Sequence, residues 1–177
     1  MNVQKVFDAL LVLQYRSGDK RAMGLLVKRY HAKLCRHAYW YTSDVEEAQD
    51  IVQDSWGVII QKLGTLKNPN TFGSWAMKIV SRKSLDFLKQ KKAKLERLRE
   101  FRPHVLNADQ EEGKGVQIMK LKRAIAELPE NQRQVLQLFY TEDYSLNEIS
   151  EILDVSIGTI KSRLFHAREK LKLILNQ

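Results

Sequence analysis

Apolar side chains recur at spacings of three and four residues along most of the chain, and no useful stretch of strand-like alternation interrupts them. This pattern predicts an all-α protein. A first short helix ends at Ser17–Gly18, and Asp19 is expected to cap a longer second helix. Ser43 and Glu46 have the spacing of a capping box, which predicts that Ser43 begins the third helix.

A loop over 64–70 separates the third helix from a fourth, for which Asn70 or Thr71 is the predicted cap. The apolar residues that we expect on the buried side of this helix share helical spacing: Phe72, Trp75, Ile79, Leu85 and Leu88. The composition then becomes basic, and residues 103–115 have little to bury. We therefore predict two small helical domains, at 1–95 and 116–177, joined by a flexible linker over 96–115.

The most informative stretch is 145–171, near the end of the predicted second domain. Ser145 and Glu148 form another capping box, which predicts a short helix with one apolar side. Asp154 tolerates turn geometry and Ser156 is a good N-cap, so a second helix should follow after a three-residue turn. Two short helices in this arrangement are typical of a helix-turn-helix within a four-helix domain.

The last helix has two different sides. Its apolar stripe consists of residues at helical spacing: Ile157, Ile160, Leu164, Ala167 and Leu171. The opposite side is polar and basic, as expected for a recognition helix in a DNA groove. Periodicity alone also allows an ordinary helical hairpin whose Lys and Arg residues form a solvated surface.

Charge narrows the classes of partner. The 177 residues carry a formal net charge of +9, which favours a polyanion, either nucleic acid or an anionic membrane surface. No apolar run approaches the length of a membrane span, so we predict no membrane insertion. The single cysteine, Cys35, fits a reducing cytoplasm. Cys35 lies between His31 and His37, but too few ligands are present for a structural zinc site, so we predict no metal and no cofactor. The simpler interpretation places Cys35 in the core and the histidines on the helix surface.

The C-terminal helices contain a specific set of short sequence motifs. Leu128-Pro129, Gln132-Arg133, Ser145 and Glu148-Ile149 precede the run Gly158-Thr159-Ile160-Lys161-Ser162-Arg163. In this order and register, the sequence closely resembles region 4 of the extracytoplasmic-function (ECF) sigma factors, which are subunits of bacterial RNA polymerase. The resemblance implies contact with the −35 promoter element. The residues implied in that contact are Gly158, Thr159, Lys161, Ser162, Arg163, Phe165, His166 and Arg168.

The first domain resembles region 2 of the same family, through the segments around residues 18–34, 44–56 and 72–92. In that family the third helix grips the largest subunit of core RNA polymerase, and the matching residues are Asp50, Gln53 and Asp54. Acidic residues concentrated on one helix of a basic protein also suit a basic partner. A solvated acidic face is the simpler alternative without the resemblance.

The fourth helix and the loop before it would, by the same resemblance, hold the −10 element and a base extruded from the melting duplex. The implied residues are Asn68, Asn70, Thr71 and Phe72 in the loop, with Lys78, Arg82 and Lys83 on the helix. Many family members have Arg-Asn where this chain has Ser81-Arg82. The base preference at −10 therefore does not follow from the resemblance.

These patterns predict an alternative sigma factor that binds core RNA polymerase, recognises promoter DNA and helps to open it, without being an enzyme. The resemblance also implies an anti-sigma partner. The alternative is a helix-turn-helix transcriptional regulator that acts without polymerase. A nuclease or recombinase is disfavoured, because the acidic residues lie along an exposed helix and no nucleophile or phosphate-binding loop is apparent.

Overall fold

A computed structural model describes residues 3–98 and 116–175. Eight α-helices account for most of these residues: α1 Val3–Arg16, α2 Lys20–Thr42, α3 Val45–Lys62, α4 Phe72–Leu98, α5 Val116–Ala126, α6 Glu130–Leu136, α7 Leu146–Leu153 and α8 Ile157–Leu175. No strand occurs in the described part of the chain, which confirms the all-α prediction.

Helices α1–α4, here called the first module, pack around a core of fully buried side chains that includes Val12, Leu26, Leu34, Val52 and Ile59. Asp19 caps α2 as predicted, since its side chain accepts a hydrogen bond from the backbone N–H of Arg21. The predicted capping box at Ser43 is wrong. Ser43 ends α2 in a left-handed conformation with φ 54°, and Asp44 caps α3 by accepting from Glu47 N–H instead.

The start of α4 also differs from the prediction. Asn68 is the cap, and it begins a 3-10 turn over Pro69–Thr71 that runs directly into the helix. Fewer apolar residues of α4 face the core than the spacing predicts, because small polar residues occupy part of the buried side of this helix. The buried residues are Phe72, Ser74, Ala76, Met77, Val80, Ser81 and Ser84. Leu85, expected on that side, is 40% exposed.

Helices α5–α8 form the second module. A π-helical turn over Gln137–Thr141 follows α6, and α7 and α8 complete a compact four-helix unit around Val135, Leu138, Ile149 and Ile160. The capping box at Ser145 is confirmed: Ser145 Oγ accepts from Glu148 N–H, and the Glu148 carboxylate accepts from Ser145 N–H at 3.0 Å.

The two modules pack directly against each other, α4 against α7 and α2 against α6, and their buried residues belong to one continuous core. Gly73 at the start of α4 lies next to tyrosines of both modules. A Cβ there would lie 2.8 Å from Tyr30 Oη of the first module and 3.3 Å from Tyr144 Oη of the second. The domain boundaries at 95 and 116 stay a prediction, and most of the predicted linker lies outside the described residues.

Within residues 3–98 and 116–175, no helix is both long and apolar enough to cross a membrane.

Candidate nucleic-acid interface

The turn between α7 and α8 has the geometry that the sequence predicts. Asp154 ends α7 in a left-handed conformation with φ 59°, and the backbone N–H of Asp154 donates to Ser150 O. Ser156 then caps α8, because Ser156 Oγ accepts from Thr159 N–H at 3.1 Å. Ser150 Oγ donates to Val155 O at 2.5 Å and fixes the turn between these caps. The local chemistry therefore sets the angle at which α8 leaves the module.

Helix α8 separates its two sides as predicted. Ile160, Leu164 and Ala167 are buried, whereas Ile157 at the first turn is 40% exposed. The outer face of α8, defined here as Gly158, Lys161, Ser162, Phe165 and His166, is exposed along its length. Phe165 is 60% exposed, and its ring contacts that of His166 edge to face, with centroids 5.5 Å apart. An exposed aromatic side chain between polar and basic residues suits contact with base edges and methyl groups.

Two further predicted −35 residues, Thr159 and Arg168, have contacts within the protein. Thr159 Oγ1 lies 2.9 Å from Ser156 Oγ at the cap. The Arg168 guanidinium lies over the rings of Phe139 and Tyr140, at 5.8 and 5.5 Å from their centroids. This cation–π contact holds Arg168 against the π-helical turn while leaving the side chain at the surface. A phosphate contact by Arg168 stays a prediction, and its geometry is set by those two rings.

Fewer of the predicted −10 residues in the loop before α4 are available for contact with DNA than the sequence implies. Asn68 uses its side chain to accept from Asn70 N–H, and Thr71 Oγ1 donates to Asn68 O at 2.8 Å. Phe72 is fully buried, with its ring 5.1 Å from that of Tyr30. The Phe72 ring therefore belongs to the core in this structure, and its contact with an extruded base stays a prediction.

Two of the predicted −10 cations of α4 contact the second module. The −10 face is defined here as Lys78, Arg82 and Lys83, of which Lys78 and Arg82 reach the helix-turn-helix. Lys78 Nζ and Arg82 Nη2 are each 3.2 Å from a carboxylate oxygen of Asp154. Hydrogen bonds and the positive charges of these two side chains lower the pKa of Asp154. Two of the three cations predicted to hold promoter DNA are thus paired with an acid of the same chain.

A cleft of about 580 Å³ opens between α4 and the second module next to these ion pairs. Its lining includes Arg82 of α4 together with Glu130, Asp154 and Arg163 of the second module. Arg163 is only partly exposed. The structure therefore places one predicted −10 residue, Arg82, and one predicted −35 residue, Arg163, in the lining of the same cleft.

Helix α3 presents its predicted polymerase residues to solvent. Asp50, Gln53 and Asp54 are exposed and lie one helical turn apart along the same side, here called the acidic face. Among the described residues, no ion pair involves Asp50 or Asp54. The nearby Glu47 is different, because Lys91 Nζ of α4 lies 2.6 Å from its carboxylate.

Sequence reasoning missed a polar network at the centre of the molecule. His37 is fully buried, which corrects the expectation that the histidines lie on the helix surface. Its Nδ1 is 2.8 Å from Gln137 Oε1, and its Nε2 is 2.7 Å from Ser81 Oγ. A neutral imidazole satisfies both contacts by donating through one nitrogen and accepting through the other. Burial lowers the pKa of His37 to about 4.

Taken together, the exposed α8, the basic α4 and the helix-turn-helix are typical of a two-module helical DNA-binding protein, which also carries an exposed acidic face on α3. Each of the two modules matches a known protein family. Residues 26–94 match Sigma-70 region 2, and residues 118–171 match Sigma-70, region 4. The chain belongs to the sigma-70 family, as an ECF sigma factor, and directs promoter recognition and transcription initiation.

Curated relatives cover most of the chain. It is 31% identical to the RNA polymerase sigma factor SigV of Bacillus subtilis, over 80% of this chain and 84% of the relative. It is 30% identical to the ECF RNA polymerase sigma factor SigM of Mycobacterium tuberculosis (strain H37Rv), over 95% of this chain and 84% of the relative.

Two solved structures share the fold. The sigma factor RpoE in complex with the anti-sigma factor NepR from Bartonella quintana has a TM-score of 0.72 at 20% identity, over 86% of this chain and 96% of that one. CnrH in complex with the cytosolic domain of CnrY has a TM-score of 0.70 at 24% identity, over 96% and 97%.

Proposed function

We propose that this sigma factor binds core RNA polymerase through the acidic face of α3, reads the −35 element with the outer face of α8 and holds the −10 element with α4. The observation that carries the proposal is the match of both modules, in order, to the two sigma-70 regions. The protein supplies binding energy and positioning and performs no bond chemistry of its own.

The two surfaces differ in a way that supports separate partners. The acidic face keeps its carboxylates exposed in a protein of net charge +9, as a site for a basic protein surface requires. The outer face of α8 presents Lys161, Ser162, Phe165 and His166 without internal ion pairs among the described residues. Side chains of this kind read base edges in the major groove.

The proposal extends to regulation and location. We infer an anti-sigma partner, because both structural neighbours at high TM-score are complexes, one with the anti-sigma factor NepR and one with the cytosolic domain of CnrY. We also place the protein in the cytoplasm, where core polymerase acts, and its single thiol fits a reducing compartment.

Transcription initiation tests this function directly. Purified protein is added to core polymerase on a library of genomic fragments, and transcript starts are mapped by sequencing. We expect initiation at a set of sites that share upstream sequence and require both components. Absence of initiation at every site, with active core polymerase confirmed by another sigma factor, would contradict the proposal.

Substitution on α8 tests which residues read the −35 element. Ser162→Ala and His166→Ala should each relax base choice at one position and weaken cognate binding by about 1–3 kcal/mol. Lys170→Ala is the matched control on the same helix, since its side chain donates to Glu127 O within the module. Unchanged promoter choice in both test variants would move the reading surface elsewhere.

A further inference from the structure

An aromatic pair on the second module has no role in the surfaces described so far. Phe139 and Tyr140 are neighbours in the π-helical turn over Gln137–Thr141, and their rings meet edge to face with centroids 5.0 Å apart. A π-helical turn is rare in proteins and frequently lies at a functional site. Tyr140 is 58% exposed, so part of this aromatic surface is open to solvent.

The residues on either side hold this turn in place. Gln137 is buried, with its Oε1 2.8 Å from His37 Nδ1, and Leu138 is fully buried in the core. At the other end the backbone N–H of Glu142 donates to Gln137 O at 3.2 Å, and Glu142 is also buried. Phe139 is half-buried and packs against the same core. The two rings are therefore carried by a backbone that is anchored at both ends, which fixes their position before any partner binds.

The two rings hold Arg168 of α8 without neutralising its charge. Arg168 Cζ lies 5.8 Å from the Phe139 centroid and 5.5 Å from the Tyr140 centroid. Aromatic rings attract a cation through their quadrupole and carry no net charge, so the guanidinium keeps its full positive charge. No carboxylate pairs with Arg168 among the described residues, whereas Arg82 is already paired with Asp154 at 3.2 Å. Arg168 is thus oriented and still available to an anion.

Arg168 also extends the outer face of α8 along the helix. It lies seven residues after Lys161, which is close to two full turns, so both cations lie on the same side and about 10 Å apart along the helix axis. Both side chains are exposed. A recognition helix reads base edges mainly with its N-terminal residues, and its C-terminal end can contact the DNA backbone. The position of Arg168 therefore suits a phosphate at the edge of the −35 contact.

Tyr140 has a free hydroxyl next to this cation. In the described part of the chain its side chain contacts Phe139 and Arg168 through the ring, and no hydrogen bond uses its Oη. Tyrosine hydroxyls are among the groups that donate to DNA phosphate oxygens. A guanidinium and a phenol side by side offer donors to two oxygens of one phosphate or of neighbouring phosphates. Phe139, Tyr140 and Arg168, here called the aromatic corner, thus have the chemistry of a DNA backbone contact.

We propose that the aromatic corner is a further DNA contact of this sigma factor: Phe139 and Tyr140 orient Arg168 towards a phosphate that flanks the −35 element, and the Tyr140 hydroxyl donates to the same stretch of backbone. The proposal rests on the proposed function, because it extends the surface that is expected to hold the −35 element. Phosphate contacts set the register of a protein on its duplex and carry no sequence information. The aromatic corner therefore adds affinity and fixes the orientation of α8, and it leaves base choice to the outer face.

Binding of the reconstituted holoenzyme to duplex DNA tests the contact. The probe is a fluorescent promoter fragment taken from the mapped initiation sites, titrated at several salt concentrations and at low temperature, before the strands open. Arg168→Gln should weaken binding about eightfold at about 0.1 M salt and reduce the salt slope by about 0.9, as the loss of one phosphate contact requires. Unchanged affinity and slope in this variant would overturn the proposal.

Two substitutions of Tyr140 separate the role of its ring from that of its hydroxyl. Tyr140→Phe keeps the cation–π contact and should weaken binding about threefold, the effect of one lost hydrogen bond. Tyr140→Leu removes the ring as well and should weaken binding by about a further twofold to fivefold. Neither variant removes a charge, so the salt slope should stay that of the wild type. Wild-type affinity in both variants would overturn the proposal.

A double-mutant cycle decides whether the ring acts through Arg168. In the Arg168→Gln background, Tyr140→Leu should bind no more weakly than Tyr140→Phe, since the ring then has no cation to orient. A ring that only stabilises the module would cost the same affinity in both backgrounds, and that result would overturn the proposal. Tyr39→Leu is the matched control, because Tyr39 is 45% exposed on α2 and lies outside the predicted surfaces. It should bind like the wild type, and thermal unfolding verifies the fold of each variant.

Failure of this inference differs from failure of the proposed function. If no site initiates transcription, the function fails, and the same variants of the free full chain are compared on a mixed-sequence duplex of about 20 base pairs, because phosphate contacts do not depend on sequence. Coupling between Tyr140 and Arg168 on that duplex supports the aromatic corner, and its absence overturns it. If initiation proceeds at the mapped sites while all variants bind like the wild type, the inference alone has failed.

Discussion

Two groups of acidic side chains in this protein have opposite environments. On α3, Asp50 and Asp54 are exposed and unpaired within the described residues. In the second module, Glu142 and Asp154 contact cations of the first module, at 2.8 and 3.2 Å. The comparison shows that acidic side chains of one chain fall into two groups. One group pairs with cations within the protein, and the other stays unpaired and available to another molecule. Pairing distinguishes them, whereas residue type and exposure do not, since Asp154 is 69% exposed.

The same contrast applies to the cations. Lys78 and Arg82 of α4 are paired with Asp154, whereas Lys161 of α8 is exposed and forms no ion pair in the described part of the chain. The predicted −35 surface is therefore free of internal ion pairs in the structure in which two of the predicted −10 cations are paired. Both surfaces are basic in sequence, and only the three-dimensional structure tells them apart.

The largest expected effect comes from reversing charge on the unpaired acids. Gln53→Lys with Asp54→Lys should weaken binding to core polymerase at least about 100-fold, because like charges then face each other across the interface. Binding is measured by fluorescence titration with core enzyme, and circular dichroism verifies the helical fold.

Asp86→Lys with Gln90→Lys is the control for that variant, since it adds the same charge at exposed positions of α4 in the same module. The control should bind like the wild type. Equal losses in the two double variants would show that the acidic face has no specific role.

Acid should lower the free energy of unfolding through protonation of His37. Its pKa is lowered to about 4 in the folded state, against 6.5 for an unperturbed imidazole. The folded state thus binds fewer protons than the unfolded chain between these values, so stability is complete above pH 6.5 and falls as the pH drops towards 4. Unfolding by urea should show a loss of about 2 kcal/mol between pH 7 and pH 5.

His37→Gln should remove most of this pH dependence, and His166→Gln, at an exposed position of α8, should retain it. The groups next to the imidazole are the Tyr41 ring at 5.3 Å, Ser81 and Gln137, with Glu142 beyond Gln137. An identical pH slope in the wild type and His37→Gln would assign the acid sensitivity to another group.

Gly73→Ala tests the tight packing at the start of α4. A Cβ at this position meets Tyr30 Oη at 2.8 Å, and Tyr30 is fixed by donating to Asp8 Oδ2 at 2.6 Å. Overpacking of this kind should cost about 1–3 kcal/mol in urea unfolding. Gly24→Ala is the control in the interior of α2, where a Cβ has nothing within 4 Å. It should be neutral or stabilising by up to about 1 kcal/mol, and an equal loss in both would contradict the packing argument.

The smallest predicted effect concerns the helix-turn-helix itself. Ser145→Ala removes the capping box of α7 and should cost about 1 kcal/mol of stability. Asn147→Ala, at an exposed site in the same helix, should change stability by no more than about 0.5 kcal/mol. Thermal unfolding resolves the two, and a neutral Ser145→Ala would mean that the cap contributes nothing to the second module.

Local features of this fold follow from sequence, and long-range ones do not. The caps at Asp19 and Ser145 and the exposed side of α8 depend on residues a few positions apart, so spacing predicts them. The prediction that Ser43 begins α3 was wrong because Ser43 is the left-handed residue that ends α2. The true cap, Asp44, follows it directly.

No pattern of neighbouring residues in the sequence predicts the contacts between the two modules. His37 and Gln137 are 100 residues apart in the chain, and Arg36 and Glu142 are 106 apart. Phe72 likewise fits both a core position and an exposed loop position in sequence, and only packing against Tyr30 places it inside. Of the candidate site, the outer face of α8 was predictable, whereas the pairing of Lys78 and Arg82 required the structure.

The central claim is that two linked modules read two promoter elements only together with core polymerase. Sequencing of genomic DNA fragments retained by the protein, with and without core enzyme, tests it most directly. We predict retained fragments that share two sequence blocks at a fixed spacing, and only when core polymerase is present. Equal retention of the same fragments without core polymerase, or a single block, would contradict the account and favour a regulator that acts alone.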